Sequence, residues 1–253
     1  MKFLRFSKDK VEMKGIYEDG KIKRIIGSFF DNYTVTDEVY SEDDVTFLPP
    51  VIPSKFVCVG RNYAEHAKEL GNEVPTEPLI FLKPSTAANA HKGDILYPPM
   101  SNKVDHEAEL AVVIGKKCSQ VSEKDAMKYV FGYTCLNDIT ARDIQKKENK
   151  FTRAKSFDTF APFGPFIETD FDYENVGVRC RVNGEIRQDG NTKDMIFKIP
   201  FLISFISNVM TLLPGDIIAT GTPSGVGGLN IGDTVEIEID GLGKLINYVK
   251  ARN

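Results

Sequence analysis

A chain of 253 residues with 42% hydrophobic and 27% charged residues has the composition of a globular protein with a sizeable core. Its net charge of −4 disfavours a nucleic-acid surface, and local basic clusters such as 145–150 (QKKENK) are short, mixed in sign and read as solvated loop or helix surface. The charged start (MKFLRFSKDKVEMKG) is neither a leader nor an anchor, and no stretch approaches the roughly 20 apolar residues of a spanning helix, so no membrane contact and a cytoplasmic setting are expected.

In chain order, 1–48 reads as short strands separated by turns, with a hairpin signal at Asp19-Gly20. Pro49, Pro50 and Pro53 predict an extended linker, which divides the chain into a small β-rich N-terminal domain at 1–50 and a larger domain at 51–253. KFVCVG (55–60) is a short buried strand, NYAEHAKEL (62–70) a helix stopped at Gly71, and PLIFLKP (78–84) a strand closed by Pro84. A strand over 107–114 follows, then a helix over 122–130 with Ser122 as its cap, then the buried strand VFGYTCLND (130–138). VRCRVNGEIRQDG (178–190) is a hairpin turning on Asn183-Gly184, and IPFLISFISNVMTLL (199–213) a buried helix ending before Pro214. Gly-Asp turns punctuate alternating strands to the C-terminus. The strands do not alternate regularly with helices, which predicts a β-rich α+β fold rather than a doubly wound parallel sheet. Cys58, Cys118, Cys135 and Cys180 form no C-x-x-C pair and read as reduced core thiols; a zinc site is not expected.

The chemistry begins at VDHEAELAVVIG (104–115). Strand side chains alternate, so Glu107 and Glu109 share a face with Ala111 and Val113, and the strand offers that face no Lys or Arg. Two carboxylates against apolar neighbours repel each other and resist desolvation, which leaves solvent exposure, a shared proton or a bound cation. Asp138, ending the next buried strand, adds a third oxygen donor, and an all-oxygen set suits Mg²⁺, Mn²⁺ or Ca²⁺ over Zn²⁺ or Cu²⁺. His66 and Glu69, three apart on the predicted helix, read either as an oriented general base or as a surface ion pair. Lys155, among small and aromatic residues, is either desolvated and functional or a snorkelling surface lysine. The Gly-rich loop 219–227 (ATGTPSGVG) follows an apolar strand; it lacks the G-K-[ST] of a Walker motif and reads as an anion-facing loop or simply a turn.

Taken together, VGRNYAEHAKE, PLIFLKPSTA, VDHEAELAVVIGK, YVFGYTCLNDITARDIQ, RAKSFDTFAPFGP, VNGEIRQDGNTKDMIF and PGDIIATGTPSGVG resemble, in order and spacing over about 55–230, the fumarylacetoacetate hydrolase family. The match is greatest to its short members that act on acylpyruvates, oxaloacetate or hydroxymuconate-type diacids. The resemblance implies a mixed β-sandwich roll with a small N-terminal domain, usually homodimeric. It implies Mg²⁺ or Mn²⁺ on Glu107, Glu109 and Asp138, catalytic roles for His66, Glu69 and Lys155, and substrate contacts at Arg61, Arg142, Gln145 and Thr222. Phe151 stands where the family usually carries a Trp, which reshapes the pocket wall.

The implied function is metal-dependent cleavage of a 2,4-dioxo acid, or decarboxylation of oxaloacetate, through a stabilised enolate. Tautomerisation or double-bond isomerisation of the same substrate class is the alternative, and a non-enzymatic metal-binding module a remote one. The helix at 62–70 and the loop at 71–78 are expected to form a lid.

Overall fold

The computed structural model describes residues 1–252. Five strands open the chain: β1 (Lys2–Lys8), β2 (Val11–Glu18), β3 (Lys21–Gly27), β4 (Tyr33–Ser41) and β5 (Thr46–Leu48). Then come β6 (Lys55–Gly60), α1 (Ala64–Glu69), β7 (Leu79–Pro84), β8 (Ala88–Asn89), β9 (Asp94–Tyr97), β10 (Val104–His106), β11 (Ala108–Ile114) and β12 (Val130–Asn137). The remainder is β13 (Thr140–Ala141), α2 (Arg142–Glu148), α3 (Thr152–Lys155), β14 (Ala161–Glu168), β15 (Gly177–Val182), β16 (Glu185–Asn191), α4 (Ile199–Val209), β17 (Ile217–Ala219), β18 (Gly227–Leu229), β19 (Thr234–Ile239) and β20 (Gly243–Ala251). The fold is α+β and β-rich. No helix is long and apolar enough to cross a membrane among the described residues.

A long sheet runs in the order β4-β3-β2-β1-β14-β12-β11-β17-β6-β7, with β5 also on β1 and β8 on β14. A second sheet, β16-β15-β19-β20-β9, and a short one, β13-β10-β18, complete the architecture. The period of two in the central strands decides what each face meets. Val57, Val59, Leu110 and Val112 join Val178, Cys180, Ile237 and Leu245 of the second sheet and Leu202, Ile203 and Ile206 of α4 in one core. The alternate residues Phe56, Cys58, Ala111 and Val113 pack on the opposite face with Phe163, Ile167 and Phe3. Both faces are buried, which is why these strands read as continuous apolar runs.

Both hairpin signals are realised. Asp19-Gly20 has φ +47° and +79°, and Asn183-Gly184 has φ +52° and +84°, the paired left-handed conformations of a two-residue type I′ turn. The N-terminal strands are continuous with the long sheet, because β1 pairs antiparallel with β14.

Four local expectations change. The strand at 107–114 begins at Ala108, because Glu107 leaves the ladder: its N–H donates to Asn137 Oδ1 (2.9 Å) and its carbonyl accepts from Asp138 N–H (2.8 Å). The helix at 62–70 shrinks to α1, because Asn62 is tied by its side chain to Phe197 and Thr220 instead. Residues Glu123–Tyr129 form a 3₁₀-helix, not an α-helix. The Ser122 hydroxyl donates to Asp125 (2.8 Å) rather than capping, and only Ala126 is buried, so packing rewards no longer coil. The helix at 199–213 stops at Val209, because Leu212 turns to pair with Cys118.

His91 joins the N-terminal strands to the C-terminal ones. Its Nδ1 accepts from Ile246 N–H (3.1 Å), and its ring stands edge-on to Phe47 at 5.1 Å. Burial, with a smaller contribution from Lys92, pushes its pKa down from 6.5 to about 4. The fold therefore holds His91 neutral while the unfolded chain takes up a proton near pH 6.5. The stability this confers is complete above pH 6.5 and is lost as pH falls towards 4, roughly 3 kcal/mol in full. Urea unfolding of wild type and His91→Asn at pH 7.5 and 4.5 should show a smaller acid-induced loss in the variant. Equal losses would refute this role.

Candidate active site

One end of the long sheet collects the chemistry. β6 and β17 run parallel, and β11 lies antiparallel between β17 and β12. The C-terminal ends of β6, β12 and β17 therefore meet the N-terminal start of β11. Each exit delivers functional groups: α1 follows β6, Asp138 follows β12, and the glycine loop at 220–227 follows β17. Loops on a rigid sheet end are where fixed geometry and chemical variety coexist.

Glu107, Glu109 and Asp138 are 5%, 2% and 1% exposed, so solvent does not explain them. Each offers a carboxylate oxygen within 4.8 Å of the others, the one such cluster among the described residues. The four cysteines are buried and unpaired, and none belongs to the cluster. Burial, reinforced by the charge of Asp138, raises the Cys58 thiol well above its usual range and leaves it inert.

The offsetting cations come from segments far away in the chain. Lys155 Nζ donates to Glu107 Oε2 (2.7 Å) and to Asp138 Oδ2. Lys83 Nζ donates to Asp138 Oδ1 and to the carbonyls of Ile139 (3.1 Å) and Phe160. Arg142 bridges Asp105 (2.8 Å) and Glu107, and its remaining arm donates to Gln145 Oε1 (2.6 Å). Burial alone would raise the Glu107 carboxyl, but Lys155 and Arg142 outweigh it and hold the group well below the usual carboxylate range. Burial would lower Lys155, but Asp138 and Glu107 overcome that and keep it a cation. Glu109 differs. It accepts one hydrogen bond, from Gly221 N–H (2.8 Å), and burial with the charges of Asp138 and Glu107 pushes it well above the usual range. Three convergent oxygens, one of them short of positive charge, fit a hard divalent cation.

A cavity of about 370 Å³ opens onto these groups. His66, Glu107, Glu109, Asp138 and Lys155 line it, as do Arg61, Arg142, Gln145 and Thr222. Glu69 does not line it but stands behind His66, with Oε2 3.2 Å from Nδ1. Its other oxygen accepts from Gly225 N–H (2.9 Å), which ties α1 to the glycine loop. Arg61 holds φ +58°, a left-handed conformation uncommon for a side-chain-bearing residue and the kind of strain that collects at functional sites. Phe151 stacks on Phe81 at 4.8 Å in the wall, and Lys155 Nζ lies 5.2 Å from the Phe81 ring centre. Lys146 and Lys150, read from sequence as solvated surface, are exposed but also line the cavity.

Three residues of the site escaped the sequence reading. Lys83 is fully buried, and its one signal was a lysine inside the apolar run PLIFLKP. Asn62, also fully buried, accepts from Phe197 N–H and donates to the carbonyls of Phe197 and Thr220, fixing the start of the glycine loop. Gln188 links β11 to that loop and gave no local signal.

Comparison with known proteins places the chain in a family. Residues 55–250 match the family described as fumarylacetoacetate (FAA) hydrolase C-terminal, and residues 1–50 match Rv2993c-like, N-terminal. Oxaloacetate tautomerase FAHD2A, mitochondrial, from Homo sapiens is 46% identical over 224 residues, covering 83% of this chain and 71% of that protein. The structure of 5-carboxymethyl-2-hydroxymuconate delta-isomerase from Mycobacterium smegmatis superimposes with TM-score 0.93 at 41% identity, covering all of both chains. That of fumarylpyruvate hydrolase from Pseudomonas aeruginosa, in complex with Mn²⁺ and pyruvate, gives TM-score 0.75 at 31% identity over 86% of this chain and 93% of that one. Matched over most of its length in sequence and throughout in fold, the chain belongs to the fumarylacetoacetate hydrolase family.

Proposed function

We propose that this protein is a divalent-metal-dependent enzyme that interconverts the keto and enol forms of a short 2-oxo dicarboxylic acid, oxaloacetate being the first candidate. The observation that carries the reading is the convergence of Glu107, Glu109 and Asp138 on the cavity that His66 also lines. The tautomerase activity named for the human relative favours this chemistry over cleavage.

Glu107, Glu109 and Asp138 would hold Mg²⁺ or Mn²⁺, as the resemblance implied. When bound, such an ion supplies Lewis acidity that polarises the 2-oxo acid and stabilises the charge of an enolate. Glu69 engages His66 Nδ1, which leaves Nε2 to take a proton from the carbon beside the carbonyl and deliver it to the enolate oxygen, and to move it the opposite way in the reverse reaction. Lys155 places a buried cation where negative charge develops. Arg61 and Thr222 grip a substrate carboxylate from the wall, with Arg142 and Gln145 orienting it.

A second reading has its own support. The same His66–Glu69 pair is suited to activating a water for C–C bond hydrolysis, and the Pseudomonas aeruginosa relative is a fumarylpyruvate hydrolase. Products decide between them, with oxaloacetate decarboxylation included. With Mg²⁺, oxaloacetate should show accelerated keto–enol exchange by ultraviolet absorbance without CO₂ release. Acetylpyruvate and fumarylpyruvate should give no free acid. Release of free acid would establish the hydrolase instead, CO₂ the decarboxylase, and inertness towards the whole panel would end the enzymatic reading. His66→Ala should lower the observed rate about 10²–10⁴-fold. We also propose a homodimer, which sedimentation would show as twice the 28.3 kDa chain mass.

A further inference from the structure

Gln188 lies on β16, in the second sheet, and is 1% exposed. Its amide is fully engaged. Oε1 accepts from Ala108 N–H (3.0 Å) and from His106 Nδ1 (3.0 Å), and Nε2 donates to Thr222 Oγ1 (2.7 Å) and to the Pro223 carbonyl (2.8 Å). The orientation is forced, because a backbone N–H only donates and a carbonyl only accepts. Oxygen must face Ala108, between the two glutamates, and nitrogen must face the glycine loop. His106 must then carry its proton on Nδ1. Thr222 must accept from Gln188, which leaves its own hydroxyl hydrogen free, and Thr222 lines the cavity.

The packing keeps this arrangement tight. A Cβ at Gly190 would lie 2.3 Å from Pro223, and one at Gly225 would lie 2.1 Å from the Arg187 carbonyl. Strand β16 therefore sits directly against the loop, and a glycine on each side, Gly190 in the strand and Gly225 in the loop, permits the approach.

We propose that Gln188 is a positioning residue that commits the Thr222 hydroxyl to donate into the cavity, towards an anionic oxygen of the ligand. The ligand class rests on the function proposed above. An unpositioned hydroxyl can rotate and must be ordered when the ligand binds; here the ordering is done in advance. Through Ala108 the same amide locks this donor to the strand that carries Glu109, so anion donor and carboxylates keep a fixed separation.

Oxalate, a planar dianion that resembles the enolate of a 2-oxo acid, is the probe. Its binding to the Mg²⁺-loaded protein is read by calorimetry. Thr222→Val should weaken it about tenfold, and Thr222→Ser should restore it. Gln188→Met should weaken it about tenfold when Thr222 is present and add nothing when Val occupies position 222. Mg²⁺ affinity without oxalate should stay unchanged throughout, which a general structural lesion would not allow. Should Gln188→Met fail to fold, Gln188→Asn, a neutral amide one methylene too short to hold both Ala108 and Thr222, enters the same cycle with the same expected outcome. Additive losses, or unchanged oxalate affinity in the Gln188 variant, would overturn the positioning role alone. A wild-type protein that binds no oxalate with Mg²⁺ would overturn the proposed function and this role together.

Discussion

Glu109→Gln is expected to abolish the stabilisation that Mg²⁺ or Mn²⁺ confers, while leaving the metal-free protein at least as stable as wild type. In the metal-free protein Glu109 is a buried carboxylate with one backbone hydrogen bond and two like charges nearby. An amide of the same shape keeps the Gly221 bond and removes the repulsion. Metal binding suffers in the opposite direction, because one of three oxygen donors loses its charge. At a metal concentration of a hundred times Kd, wild type should gain about 2.7 kcal/mol, and the variant almost nothing. Turnover should fall with it, by at least about a thousandfold at limiting metal. Thermal melts with and without metal separate the two effects. A variant that kept the metal-induced rise in Tm, or full turnover at limiting metal, would refute this account of the strand. Glu107→Gln makes a useful contrast. It should also lose metal, but it withdraws charge from both Arg142 and Lys155, so its metal-free form should be less stable.

The second large effect is Lys83→Met, expected to cost about 3–5 kcal/mol. Met preserves the length of the side chain, so little cavity forms. What is lost is a fully buried ammonium that meets one carboxylate oxygen and two carbonyls. Asp138 would keep Lys155 but leave its Oδ1 uncompensated. For a protein of this size the loss corresponds to a fall in Tm of roughly 10 °C. Urea unfolding gives the number directly, and a loss below about 1 kcal/mol would show that Lys83 is dispensable for holding Asp138.

The sequence disclosed those parts of the site whose signal is local. Two carboxylates in an apolar strand are conspicuous within five residues, and Asp138 stands out at the end of its own strand. The hairpins at Asp19-Gly20 and Asn183-Gly184 were legible because two residues suffice to specify a type I′ turn. The partners of the carboxylates were not legible. Lys83 lies 55 residues from Asp138, and Gln188 lies 82 from His106; neither separation leaves a periodic trace. For Glu107 and Glu109 the sequence leaves exposure, a shared proton or a cation. The fold adds a fourth, since remote lysines and an arginine already meet part of the charge. The 3₁₀-helix at Glu123–Tyr129 failed for a related reason. Its spacing was helical, but whether a helix finds a surface to pack on is decided elsewhere in the chain.

Of the buried acids around Asp138, Asp105 and Glu107 meet Arg142, Glu107 and Asp138 meet Lys155, and Asp138 also meets Lys83. Glu109 is the member of the group with a backbone N–H as its partner, and its carboxyl is the one pushed well above the usual range. A cation loaded onto the three carboxylates therefore takes the place of a proton on Glu109, so metal binding is expected to release a proton and to tighten as pH rises. Arg61, Lys146 and Lys150 add positive charge to the cavity wall, so anions are drawn to the same opening.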